Sequence, residues 1–107
     1  KEISKINKKL IILKCTSSYP ASINELNLKT IEDIKKKFKC LSGFSDHTVE
    51  DYTPAFSLAM GSRIIEKHVT LDKGLDGPDH NFSLIPSEMN KMISLLNNMH
   101  FQVYIYE

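Results

Sequence analysis

Three short apolar runs, spaced by segments of helical periodicity, constrain the fold of this chain more than any other feature. "LIILKC" (10–15), "CLSGFS" (40–45) and "RIIEKHV" (63–69) are too short for helices and read as strands, the first as a buried one. After the first run, Leu28, Ile31, Ile34 and Phe38 recur at helical spacing and predict a helix over 27–38. After the second, Thr53 reads as an N-cap and Pro54 as the first helical residue; Ala55, Phe56, Leu58, Ala59 and Met60 continue the helix and Gly61 closes it. After the third, Pro86 opens a helix with Met89, Met92, Ile93 and Leu96 on one face, and the apolar, aromatic tail "FQVYIYE" could be a strand-like end but has no assigned place in this order. The order β-α-β-α-β-α implies parallel strands joined by right-handed crossovers. Three such strands leave both edges open and need cover on both faces, so the expectation is a piece of a larger α/β structure such as a barrel.

Several function classes fall away on composition. At 107 residues the chain is sized for one domain, and it has no run of 18 apolar residues to span a membrane. The start "KEISKINKKLIILKC" lacks the long apolar stretch and cleavage site of a signal peptide, so a cytoplasmic location is expected. The net charge of +1 divides into +6 over residues 1–40 and −5 over 41–107. Lys35, Lys36 and Lys37 fall near a helix C-terminus, where cations suit the dipole, and no aromatic residues interleave with them, so no nucleic-acid partner is expected. Cys15 and Cys40 form no CxxC pair and are expected to be buried free thiols.

The chemistry-bearing residues gather where the strands end, the place where α/β units put their sites. Thr16, Ser17, Ser18 and Tyr19 follow the first strand; Ser45, Asp46, His47 and Thr48 end the second; His68 and Thr70 end the third, with Asp79 and His80 in the next loop. Strand alternation puts Ser45 with His47 and Glu66 with His68, and turns Ile65 and Lys67 the other way. A carboxylate at Glu66 on an inward face is costly unless it is paired or functional. His47 and His68 can form a metal pair with open coordination positions, or be two hydrogen-bonded rim histidines; the residues alone leave both readings open. Ser17, Ser45 and Thr48 can bind phosphate or carboxylate oxygens, although capping explains Thr48 and Thr53 better than ligand binding does. Tyr19 is a rim aromatic or a packing residue, Asp79 beside Gly and Pro is a turn former or a ligand, and His80 and His100 read as surface histidines.

In order and spacing, "CTSSYPA", "GFSDHT", "IIEKHVTLDK" and "GPDHNFSL" resemble the sialic acid synthase family, which includes the N-acetylneuraminate, legionaminate and pseudaminate synthases. The resemblance covers residues 10–98 and implies a partial TIM (β/α)8 barrel, with residues 1–107 supplying three parallel β/α units that correspond to strands six to eight. It implies condensation of phosphoenolpyruvate with the aldehyde of an N-acetylated amino sugar of the N-acetylmannosamine type, giving a nine-carbon 2-keto acid and phosphate. It also implies a divalent metal, Mn2+ or Mg2+, on His47 and His68, and a homodimer. Ser17 and Ser45 correspond to phosphoenolpyruvate contacts, Tyr19 and Asp79 to positions facing the sugar, and Glu66 to an inward carboxylate near the metal; Glu66, His68 and Asp79 are the expected catalytic set. The lysines and the glutamate of the family's early strands, and its small C-terminal antifreeze-like domain, have no counterpart in this sequence. The chain alone is therefore expected to be inactive. The other reading is an inactive remnant that binds metal or folds only with a partner chain.

Overall fold

A computed structural model describes residues 2–7 and 9–104, without the side chains of Ser4 and of 100–104. The elements are α1 (Glu2–Ile6), β1 (Ile11–Cys15), α2 (Thr30–Phe38), β2 (Leu41–Asp46), α3 (Thr53–Ala59), β3 (Ile65–Lys67) and α4 (Pro86–Tyr104), with single 3-10 turns at Ile23–Glu25 and His80–Phe82. The three strands form one parallel sheet in the order β1-β2-β3. This is the α/β alternation that the apolar runs predict.

The ladder fixes which side chains share a face. Cys15 pairs with Ser45 and Ser45 with Glu66; Lys14 pairs with Phe44 and Phe44 with Ile65. Phe44 is wholly buried and packs with Ile31 of α2, Ala21 and Leu26, with Leu28, Met60 and Ile65 against them. Full burial of side chains such as Phe44 and Ile31 contributes about 1.5–3 kcal/mol each. α2 packs on β1 and β2, α3 on β2, and α4 on α3. On the opposite face, Ile11 is 47% and Leu41 52% exposed, and Cys15 and Glu66 are exposed as well.

Several sequence expectations change at this level. β1 is not buried, because it is an edge strand whose Ile11 face is uncovered. For the same reason Cys15 is an exposed free thiol, and Cys40, also free, is half-buried. The helix expected from residue 27 begins at Thr30, since Asn27 takes a left-handed conformation (φ 46°). Thr53 lies inside α3, whose N-cap is Tyr52, because its hydroxyl is drawn to Asp46 instead. Gly61 follows the end of α3 with φ 91°, as a helix-closing glycine should. β3 is shorter than predicted, but its backbone bonding extends beyond the strand: Arg63 N–H donates to the Ser42 carbonyl, and Leu84 N–H to that of His68. In the tail, residues 101–104 continue α4 rather than forming a strand; 105–107 lie outside the described residues, as does the side chain of His100. No helix among the described residues is long and apolar enough to cross a membrane.

Candidate functional site

The site is built on the Ser45–Glu66 rung of the sheet. These two residues are ladder partners, and Ser45 Oγ donates to Glu66 Oε1 at 2.6 Å. Two residues further along each chain, on the same face, stand His47 and His68. Their ring centres lie 5.4 Å apart, edge to face.

His47 is buried and held from three directions by the segment after β1. Its carbonyl accepts from Ala21 N–H at 2.9 Å. Its Nδ1 is 2.8 Å from the Thr16 carbonyl oxygen. Its ring lies on that of Tyr19, centres 4.2 Å apart. A carbonyl oxygen can only accept, so Nδ1 carries the hydrogen, and Nε2 is the nitrogen that can offer a lone pair to the site. Ser45 Oγ is 3.4 Å from Nε2, yet its single hydrogen is already given to Glu66. Ser45 Oγ and His47 Nε2 thus stand together beside the Glu66 carboxylate, and with Nε2 unprotonated the three groups suit a positively charged occupant.

His68 is one-third exposed, and its Nδ1 is 3.7 Å from Asp79 Oδ2, an ion-pair rather than a hydrogen-bond distance. Phe82 packs tilted against it, ring centres 5.1 Å apart, and Tyr19 lies 6.3 Å away. Imidazole nitrogens bind a metal at about 2.0–2.1 Å, and rings whose centres are 5.4 Å apart are near enough for one cation to lie between them. Among the described residues no group of three or more His, Cys, Asp or Glu side chains is placed to hold a metal. The chain therefore offers a cation two imidazoles and not a closed cage.

Of the residues singled out from the sequence, Tyr19, Ser45, His47, Glu66, His68 and Asp79 come together at this rim. Ser17 is exposed and joins none of the site's hydrogen bonds. Thr48 is withdrawn from any ligand role: it is buried, and its hydroxyl is shared with Thr53, 2.8 Å away, and Lys67. His80 is no plain surface histidine, since its Nδ1 lies 2.7 Å from Thr70 Oγ1.

Two features escaped sequence reasoning. Phe82 is buried and forms the wall beside His68 and Tyr19; its place in "DHNFS" gave no signal of that. On the opposite face, Lys67 and Asp46 form an ion pair at 2.9 Å with side chains only 2% and 0% exposed. Burial lowers the Lys67 pKa from its ordinary value, and the Asp46 carboxylate opposes that shift. The alternation that turns Lys67 away from the histidines was legible; that its side chain is buried against Asp46 was not.

A parallel α/β unit with paired imidazoles and a carboxylate beyond its strand ends has the layout of an α/β enzyme site. The sequence profile described as "NeuB family" matches residues 2–103, and this chain belongs to that family. The N,N'-diacetyllegionaminic acid synthase of Legionella pneumophila is 42% identical over 89 residues, which are 83% of this chain and 25% of the relative. A pseudaminic acid synthase of Campylobacter jejuni is 45% identical over 87 residues, 81% of this chain and 25% of the relative. The structure is similar to that of an N-acetylneuraminic acid (sialic acid) synthetase from Leptospira borgpetersenii in complex with citrate, with a TM-score of 0.85 and 34% identity over 91% of this chain and 34% of that one. It is likewise similar to the spore coat polysaccharide biosynthesis protein SpsE of Bacillus subtilis, with a TM-score of 0.86 and 31% identity over 98% of this chain and 30% of that one. The chain spans about a quarter of the length of the curated relatives it matches.

Proposed function

We propose that this chain is the part of a (β/α)8 barrel that carries strands six to eight, and that it contributes the metal-holding rim of a sugar-acid synthase. The uncovered Ile11–Leu41 face and the β1 edge, which no other described strand pairs, support the first half: further strands curving round would cover that face and pair that edge, and on the far side the Val69–Leu84 bridge already continues the sheet beyond β3. The observation that carries the second half is the free Nε2 lone pair of His47, fixed by the Thr16 carbonyl and set beside His68, Ser45 and Glu66.

The proposed reaction joins phosphoenolpyruvate to the open-chain aldehyde of an N-acetylated amino sugar. The enol carbon attacks the aldehyde carbon, water adds to the resulting oxocarbenium carbon, and the tetrahedral adduct expels phosphate as the ketone forms. His47 and His68 would hold Mn2+ or Mg2+, which supplies Lewis acidity toward the aldehyde oxygen. Glu66 adds negative charge beside the imidazoles and orients the Ser45 hydroxyl, whose lone pairs then face the site. Ser17 is assigned to phosphoenolpyruvate, as is Ser45 once its hydroxyl hydrogen turns from Glu66 to a substrate oxygen, and Tyr19 and Asp79 are assigned to the sugar. Asp79 faces His68 Nδ1 and so steadies that ring. Binding both substrates in register supplies much of the remaining rate.

The test is complementation. The chain is mixed with the preceding strand–helix units of the Legionella relative, phosphoenolpyruvate, N-acetylmannosamine and Mn2+, and inorganic phosphate is followed. Phosphate release that requires both substrates and disappears in His68→Ala supports the synthase reading. Mn2+ binding without turnover in the assembled mixture favours the remnant reading. Release that persists unchanged when both histidines are replaced by alanine removes them from the chemistry.

A further inference from the structure

The residue before each histidine belongs to the buried ion pair: Asp46 precedes His47, and Lys67 precedes His68. Neighbours along an extended chain point to opposite faces, so a lock between Asp46 and Lys67 on the helix side fixes the backbone from which both imidazoles project on the other. The lock is fully satisfied. Asp46 accepts from Thr48 N–H at 2.9 Å, from Thr53 Oγ1 at 2.5 Å and from Lys67 Nζ at 2.9 Å. Lys67 also donates to the Thr48 carbonyl at 2.6 Å and lies 3.3 Å from Thr48 Oγ1. One cluster thus ties together β2, β3, the loop leaving β2 and the first residue of α3. A buried ion pair is a poor source of stability, because desolvation offsets the attraction and an apolar pair of similar volume often serves as well. Its expense is better matched to a geometric task.

We propose that Asp46 and Lys67 are positioning residues that set the spacing and orientation of His47 and His68 from the far side of the sheet. The metal arm of this inference rests on the proposed function; the geometric arm does not.

The decisive variant is Asp46→Asn combined with Lys67→Met in the full chain. It removes both charges together, leaves no unpaired buried ion, and keeps an acceptor for Thr48 N–H. Three quantities are read: the thermal unfolding midpoint, the nuclear Overhauser contact between the two imidazole rings, and the affinity for Mn2+. A positioning role predicts a folded protein whose midpoint moves little, loss of the ring-to-ring contact, and Mn2+ bound roughly 10-fold or more weakly, as for loss of an outer-shell partner. A merely structural role predicts the reverse: a lowered midpoint with ring contact intact and Mn2+ affinity within about twofold in the protein that remains folded, which would overturn the inference. If the double variant does not fold, Thr53→Val, which deletes one donor to Asp46 and keeps the ion pair, decides instead. Positioning predicts a weakened ring contact and weaker Mn2+ binding than in the unaltered chain, and an unchanged Thr53→Val protein overturns it. If the unaltered chain binds no Mn2+, the metal reading fails, and the ring contact alone still decides the positioning claim.

Discussion

The ring of Tyr19 lies nearly flat on that of His47, with centres 4.2 Å apart and planes inclined by 27°. The imidazole stands at the end of β2, but its orientation is set by the segment that follows β1, through this stack and through the Thr16 carbonyl. Tyr19→Phe keeps the stacked face and should leave Mn2+ affinity nearly unchanged. Tyr19→Ala removes an aromatic contact of about 0.5–1.5 kcal/mol and should weaken Mn2+ binding about 2- to 12-fold. Titration of free Mn2+ by electron paramagnetic resonance checks both; equal affinity in Tyr19→Ala would show that the stack does not orient His47.

His47→Ala and His68→Ala should each reduce Mn2+ binding to the level of non-specific surface sites, because a single imidazole cannot grip the cation. His80→Ala, which loses only the bond to Thr70, should retain affinity within about twofold. Adding a chelator to the unaltered chain should abolish the bound signal and excess Mn2+ should restore it.

Gly43 sits in the central strand where a Cβ would lie 2.4 Å from the Ile64 carbonyl oxygen and 2.6 Å from Leu13 Cδ2. The leucine can move, but the carbonyl belongs to the backbone that bonds Phe44 N–H at 2.9 Å. Gly43→Ala should therefore pry β3 from β2 and lower stability by about 1–3 kcal/mol in a denaturant titration. A midpoint equal to that of the unaltered chain would mean that β3 yields freely.

Glu88 in the first turn of α4 meets Lys73 Nζ with both carboxylate oxygens and accepts from Ile85 N–H on Oε2 at 3.0 Å. The Lys73 bond, followed by the Ile85 bond, holds its pKa below the ordinary 4.5. A carboxyl whose folded pKa is depressed stabilises the fold fully above its unfolded value, and that stabilisation is lost as pH falls through the folded value. Unaltered protein should therefore exceed Glu88→Gln in thermal midpoint by a constant margin at neutral pH. The margin should shrink only once pH drops below about 4.5. A margin that persists into strong acid would show that charge on Glu88 contributes nothing.

Much of the site was legible because strand parity is a local property. Once 40–45 and 63–69 read as strands, Ser45 with His47 and Glu66 with His68 follow from period-two alternation, and the sheet register places them together. The same parity put Asp46 and Lys67 opposite the histidines, yet it could not say that both would be buried and paired, because the helix covering them comes from a separate segment. Thr53 shows the same limit: its sequence context is that of a cap, and a carboxylate seven residues away took its hydroxyl. β1 misled in the other direction, since an isoleucine-rich run says that a face seeks burial without saying what covers it.

The sequence by itself determined the alternation of strands and helices, the face each strand residue takes, and the four motifs that mark the family, since all of these depend on neighbours a few positions apart. Only the tertiary structure decided which nitrogen of His47 is free, that Phe82 walls the rim, and that an ion pair stands behind the two histidines. Those depend on partners that meet only when the chain closes: Thr16 and His47 are 31 residues apart, and Asp46 and Lys67 are 21 apart. No spacing rule encodes a hydrogen bond across that distance; it exists only when the sheet register brings the two groups to one point.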